Sequence, residues 1–168
     1  MKKLNYKDVL TVTTDNLSKK GIFLTVNGEV PNTMTIGWAT IGHIWNRPVF
    51  MALVRPQRHT YEMLKKAGEF TVSVPTTNPL VKELVFAGTC SGRDVNKFEG
   101  HGLTAAPAQS VNTPIIKECG IHFECRTLLT QDMDPKFMDE NVLNRSYPER
   151  DLHTMFFGEI IECYTTDE

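Results

Sequence analysis

The stretch GIFLTVNGEVPNTMTIGWATIG, residues 21–42, decides how the chain folds. β-branched and aromatic residues dominate the runs on either side of NGEVPN, and Asn27-Gly28 supplies the positive backbone dihedrals of a tight turn. It predicts an antiparallel hairpin, GIFLTV against TMTIGWATIG. Further along, VFMALV (Val49 to Val54) is continuously apolar and stops at RPQR, the pattern of a central strand covered on both faces. FTVSV, GIHFECRTLL and TMFFGEIIECY read as further strands. Two short helices interrupt them. Thr60 is placed to N-cap YEMLKKA, with Lys65 and Lys66 in its last turn and Gly68 ending it. Asn78-Pro79 opens LVKELVFA, which Gly88 closes, with Leu80, Val81, Leu84 and Val85 on one face. Residues 101–116 read as an exposed connection, and the polar span from Gln131 to Asp151 as a flexible loop or a short helix. Many strands with two inserted helices predict a mainly β fold, a β-barrel with short peripheral helices, rather than a doubly wound α/β sheet.

Length and charge bound the function. The chain has 168 residues, 40% of them apolar, enough for one core, so residues 1–168 read as a single domain. Eighteen basic and twenty acidic residues leave a net charge of −2, so no overall field attracts nucleic acid or an anionic membrane. No apolar run is long enough to span a bilayer, and MKKLNYKDVL lacks the apolar core of a signal peptide, which predicts a cytoplasmic protein. Cys90, Cys119, Cys125 and Cys163 lie far apart, as free thiols in a reducing compartment do.

Four segments carry candidate chemistry. In TCSGRDVNKF, Gly92 permits close backbone approach, Ser91 offers a hydroxyl and Asp94 can cap a short helix. Arg93 and Lys97 add charge suited to a phosphate, although a solvated cap with surface cations explains the same residues. In RPQRHT, Arg55 to Thr60, two arginines, a histidine and a hydroxyl at a strand end suit either a ligand site or a solubilising turn. In NTMTIGW, alternation puts Asn32, Met34, Ile36 and Trp38 on one face. That face fits a flat heteroaromatic ring, or the core of a barrel. In CGIHFEC a strand would set Cys119 and Cys125 on one face and His122 on the other, which argues against a metal site. GxGxxG, P-loop, HExxH and GxSxG motifs are absent from the sequence.

In their order, NTMTIGWATIGHIWNRPVFMALVRPQRHTYEMLKKAGEFTVSVP, CSGRDVNKF, HFEC and FFGEI resemble the flavin reductase-like family of FMN-binding split barrels, which includes the flavoredoxins. The likeness runs from about Val12 to Tyr164. It implies a homodimer that closes the barrel, with FMN in a cleft near the subunit interface. On matching positions, Asn32, Thr35 and Trp38 would surround the isoalloxazine ring, with Thr60 nearby. Ser91, Gly92 and Arg93 would lie near the phosphate and ribityl chain, Lys97 at the pyrimidine edge, and His122 and Phe156 would complete the pocket. The activity implied is that of an FMN-dependent oxidoreductase, an NAD(P)H-dependent flavin reductase using NADH or NADPH. The alternatives are a flavoredoxin-type electron carrier serving a redox protein, or a split barrel holding another cofactor such as haem or a deazaflavin. No general acid or base is implied, because hydride transfer asks mainly for placement.

Overall fold

In chain order the elements are β1 (Lys2–Lys3), α1 (Leu10–Lys19), β2 (Ile22–Val26), β3 (Asn32–Ile36), β4 (Ala39–Ile44), β5 (Arg47–Val54), α2 (His59–Ala67), β6 (Glu69–Val74), α3 (Val81–Thr89), β7 (Ala105–Ala106), β8 (Ile115–Ile116), β9 (Ile121–Asp132), α4 (Glu140–Ser146) and β10 (Thr154–Thr165). They come from a computed structural model that describes residues 1–167. The expected hairpin is β2 with β3, in a register that sets Ile22 opposite Ile36 and Val26 opposite Asn32. One antiparallel sheet runs β3-β2-β6-β9-β10-β5-β4, with β1 added along β10.

Both faces of β2 are buried, for different reasons. Ile22, Leu24 and Val26 point inward to a core that includes Phe50, Phe70, Phe123 and Phe156. Phe23 points outward to a second cluster with Leu84 and Ala87 of α3, Leu103, Ile116 and Cys119. Each such side chain removed from water contributes about 1.5–3 kcal/mol. The sheet is therefore filled on its concave side and roofed by α3 on the other.

Several details depart from the sequence reading. TMTIGWATIG is two strands, because the chain leaves β3 at Gly37 and re-enters the sheet as β4 at its far end. β5 is second from that end rather than central, and its burial alternates as a one-sided strand's does. Arg58 holds the cap position of α2, and Thr60 is buried at its second position. Gly68 ends that helix in the left-handed conformation, at φ 65°. Asn78 accepts from the Leu80 amide, but α3 starts at Val81 and runs through Gly88. α1 has no counterpart in the sequence reading, since its three β-branched threonines weaken the local helix signal. The span 131–151 contains a 3-10 turn at Pro135–Phe137 and α4. No helix among the described residues is long and apolar enough to cross a membrane.

Residues 101–116 are not an exposed connection. Leu103, Thr113, Ile115 and Ile116 are buried, and β7 pairs with β8. Two carboxylates anchor the segment by accepting from its backbone amides. Glu124, fully buried, takes Gln109 N and Ser110 N at 2.7 Å and Val111 N at 3.1 Å. Glu69 takes Asn112 N at 2.8 Å and Thr113 N at 2.9 Å.

Cys119 precedes β9 and joins the outer cluster, whereas Cys125 faces the inner core, so they do not share a face of one strand. All four thiols are free. Two expected pocket residues also lie inside the protein. Phe156 is fully buried in the core, edge-on to Tyr61. His122 is fully buried on the opposite face of β9, with Ser73 Oγ 3.1 Å from Nδ1 and Thr166 Oγ1 3.1 Å from Nε2. Thr166 donates to the Cys119 carbonyl, which assigns the Nε2 proton to His122 and leaves Nδ1 to accept from Ser73. Burial lowers the His122 pKa to about 4.

Two stability predictions follow from these buried groups. Glu124→Ala leaves three amides without their anion and should cost about 3 kcal/mol or more, read as a lower urea midpoint. An unshifted midpoint would remove Glu124 as the anchor. For His122 the unfolded chain binds its proton at about 6.5 and the folded protein only near 4. Its stabilising contribution is thus complete above pH 6.5 and lost as the pH falls toward 4, by up to about 1.4 kcal/mol per pH unit. Histidine NMR that shows His122 titrating at its ordinary value in the folded protein would contradict this.

Candidate functional site

The split in the sheet places a groove. Residues on the β3 side of the break, from Met34 to Trp38, face Leu53, Arg55, Arg58 and His153 across a cavity of about 280 Å³. A second cavity of about 180 Å³ continues from it, lined by Asn32, Gln57, His59, Thr60, Cys90, Ser91, Arg93 and Lys97 among others. Met34 and Arg58 belong to both walls, so the two form one groove.

The inner lobe is built by three local devices. Asn32 begins β3 almost fully buried, and its Nδ2 donates to Thr60 Oγ1 at 2.9 Å, leaving Oδ1 free to accept. Gly92 packs against that amide: a Cβ there would stand 2.6 Å from Asn32 Cγ and 3.0 Å from His59 Cδ2, so no larger residue fits. Ser91, not Asp94, shapes the turn, since Ser91 Oγ accepts from Arg93 N at 3.2 Å and its carbonyl from Asp94 N at 3.1 Å. The expected helix at Asp94 is absent from this turn.

The charge of the groove is unbalanced. Arg55 pairs with Asp151. Arg58, Arg93 and Lys97 instead donate to main-chain carbonyls, of Gly88, of Gln57, and of Thr33 and Ala87 respectively. None of these three pairs with a carboxylate among the described residues. Burial, with Arg93 and Lys97 nearby, lowers the His59 pKa below its ordinary value. A groove with three uncompensated cations, in a protein of net charge −2, favours an anion.

The outer lobe is aromatic. Trp38, 45% exposed where the strand breaks, is not the core residue that alternation allowed. Its ring lies 5.1 Å from His153 and 5.8 Å, edge-on, from Tyr147. Tyr147 Oη is 2.9 Å from His153 Nδ1, and burial, then Arg55, lowers the His153 pKa to about 4. Thr35 lines this lobe but donates its hydroxyl to the Leu84 carbonyl.

The groove therefore gathers Asn32, Thr35, Trp38, Thr60, Ser91, Arg93 and Lys97 with Gly92 beside them, and does not include His122 or Phe156. Sequence reasoning weighed RPQRHT without selecting Arg58 or His59, which the N-terminus of α2 turns inward. It missed Tyr147 and His153 entirely. No local pattern marks them, since the pairing of β10 with β5 brings His153, just before β10, to Trp38, and Tyr147, at the end of α4, joins it through the contact with His153. Among the described residues no cluster of metal-ligating side chains forms.

Residues 8–168 match the Flavin reductase like domain family. An uncharacterized protein of Archaeoglobus fulgidus is 34% identical over 83% of this chain and 68% of its own length. Among solved structures, the flavoredoxin of Desulfovibrio vulgaris (Miyazaki F) is similar with a TM-score of 0.69 at 24% identity, over 88% of this chain and 69% of its own. Flavoredoxin from Methanosarcina acetivorans gives 0.67 at 26% identity, with the same two coverages, 88% and 69%. With the broken antiparallel sheet and the groove at its break, this match establishes that the chain belongs to the flavin reductase-like family and has its split-barrel fold.

Proposed function

We propose that the chain is an FMN-dependent oxidoreductase whose groove holds the flavin and accepts electrons from NADH or NADPH. The observation that carries this reading is the set Arg58, Arg93 and Lys97, cations without carboxylate partners, in one groove with a flat apolar wall of Trp38 and Met34. The residues fit the group. Gly92 keeps the floor clear where a Cβ would collide with Asn32, and Asn32 Oδ1 remains free to meet a polar ring edge. Arg93, with Ser91, would hold the phosphate end, Lys97 would set positive charge toward the ring, and Trp38 would shield it from water. FMN, when bound, supplies the hydride and electron-transfer chemistry.

Nothing in this scheme requires a side-chain acid or base. The chain binds, orients and sets the potential, because positive charge beside a group that becomes anionic on reduction favours the reduced form. A second copy would complete the groove, and exposed Ile44, Trp45, Leu128 and Leu129 provide apolar surface for a homodimer. Four unpaired thiols suit a reducing, cytoplasmic setting.

A specific observation also favours the carrier reading, in which a redox protein is the electron donor. None of residues 98–121 lines the groove, and Glu69 and Glu124 anchor residues 109–113 on β6 and β9, which favours a groove left open to a protein donor. Anaerobic spectra of the FMN-loaded protein separate the readings. Bleaching of the flavin bands by NADH or NADPH supports the reductase, bands that persist with both support the carrier, and failure to take up FMN rejects both.

Trp38→Ala should weaken FMN binding by about tenfold, the value of one good stacking contact, with little change in melting temperature. A large stability loss with affinity retained would return Trp38 to the core. Lys97→Ala should lower the midpoint potential of bound FMN and weaken its binding; unchanged potential and affinity would remove Lys97 from the site.

A further inference from the structure

Lys97 is 3% exposed, and neutral main-chain oxygens hold its ammonium: Nζ donates to Thr33 O at 2.8 Å and to Ala87 O at 2.7 Å. β3 and α3 present carbonyls to it. The ionisable groups that face it are Arg58 and His59 from the start of α2, Cys90 from the end of α3, and Arg93 from the turn beyond. Not one is a carboxylate. Burial opposes its charge and Arg58 adds to the effect, with Cys90 acting in the other direction, so the Lys97 pKa falls from 10.5 to about 8.

We propose that an anion entering the groove brings a proton from solvent onto Lys97 Nζ, so that ligand capture and protonation of this one side chain are coupled. An incoming anion supplies the missing counter-charge and favours the ammonium, while the free groove favours the amine in mildly alkaline solution. The proposal rests on the flavin reading for the identity of the ligand, but the coupling requires only that the ligand be anionic. His59 does not compete, since its surroundings already keep it neutral in that range.

The sign follows from linkage. At pH 9 about nine-tenths of Lys97 is unprotonated in the free groove, against about one-tenth at pH 7. If the complex restores the ammonium fully, binding takes up about 0.9 proton at pH 9 and about 0.1 at pH 7. Affinity then falls by about fivefold between pH 8 and pH 9 and by nearly tenfold per pH unit beyond.

The direct test is NMR of the lysine Cε resonances in the wild-type protein, from about pH 6.5 to about pH 11.5, a range that brackets the ordinary lysine value. Spectra are recorded free, with FMN, and with inorganic phosphate. The expected result is a Lys97 signal that titrates near 8 in the free protein and moves up by a unit or more with ligand. Lys97→Arg should abolish the alkaline loss of FMN affinity, and Cys90→Ser should retain it. Titration of Lys97 at the ordinary lysine value in the free protein would overturn the proposal, as would a low value that neither FMN nor phosphate moves. A shift with phosphate but not with FMN would sustain the coupling and reject the flavin reading.

Discussion

Gly37 and Trp38 are all of the chain between β3 and β4, yet those strands lie at opposite ends of one antiparallel sheet. So short a connection forces the two edges together, and a sheet whose ends meet must curl into a barrel. The edges are not zipped by a ladder: β3 does not pair with β4, and the Trp38 carbonyl, accepting from Leu53 N at 3.2 Å, extends the β4–β5 pairing instead. The groove is what that incomplete closure leaves. Trp38 is exposed because it stands on the break, and Arg55 and Arg58 reach the same space because β5 ends there and α2 begins.

The same constraint explains why charge collects in the groove. The loop after α3 returns over the start of β3, bringing Ser91, Arg93 and Lys97 against Asn32 and Thr60. Near the break, carbonyls of Thr33, Ala87, Gly88 and Gln57 serve as acceptors for cations. Carbonyls orient an ammonium or guanidinium without neutralising it. Geometry is thereby fixed while the field is left for a ligand.

Much of this was legible in the sequence where the signal was local. The β2–β3 hairpin follows from the strand-forming runs on either side of NGEVPN, although neither Asn27 nor Gly28 takes the positive φ expected of them; the end of α2 follows from Gly68, and the importance of the SGRDVNK turn from its mixture of glycine, hydroxyl and cations. What depends on distant partners was not legible. The departure of the chain at Gly37 is set by sheet closure, since WATIG continues the strand composition before it. The anchoring of residues 109–113 depends on carboxylates from β6 and β9 that read as ordinary strand-face charges. His122 was a pocket residue only by the family resemblance, and the Ser73 and Thr166 hydroxyls explain its position inside the protein.

The groove draws its walls from Asn32 at one extreme and His153 at the other, with α2 and the post-α3 turn between. Few of these contacts are local, and such non-local topologies assemble slowly because loop closure precedes the reward. The groove therefore exists only where β3, α2 and the post-α3 turn are all in place, and a fragment lacking one of them cannot display it. A ligand that needs all of these walls would bind the folded protein and not the unfolded chain, so by mass action its occupancy would stabilise the whole sheet and not the groove alone.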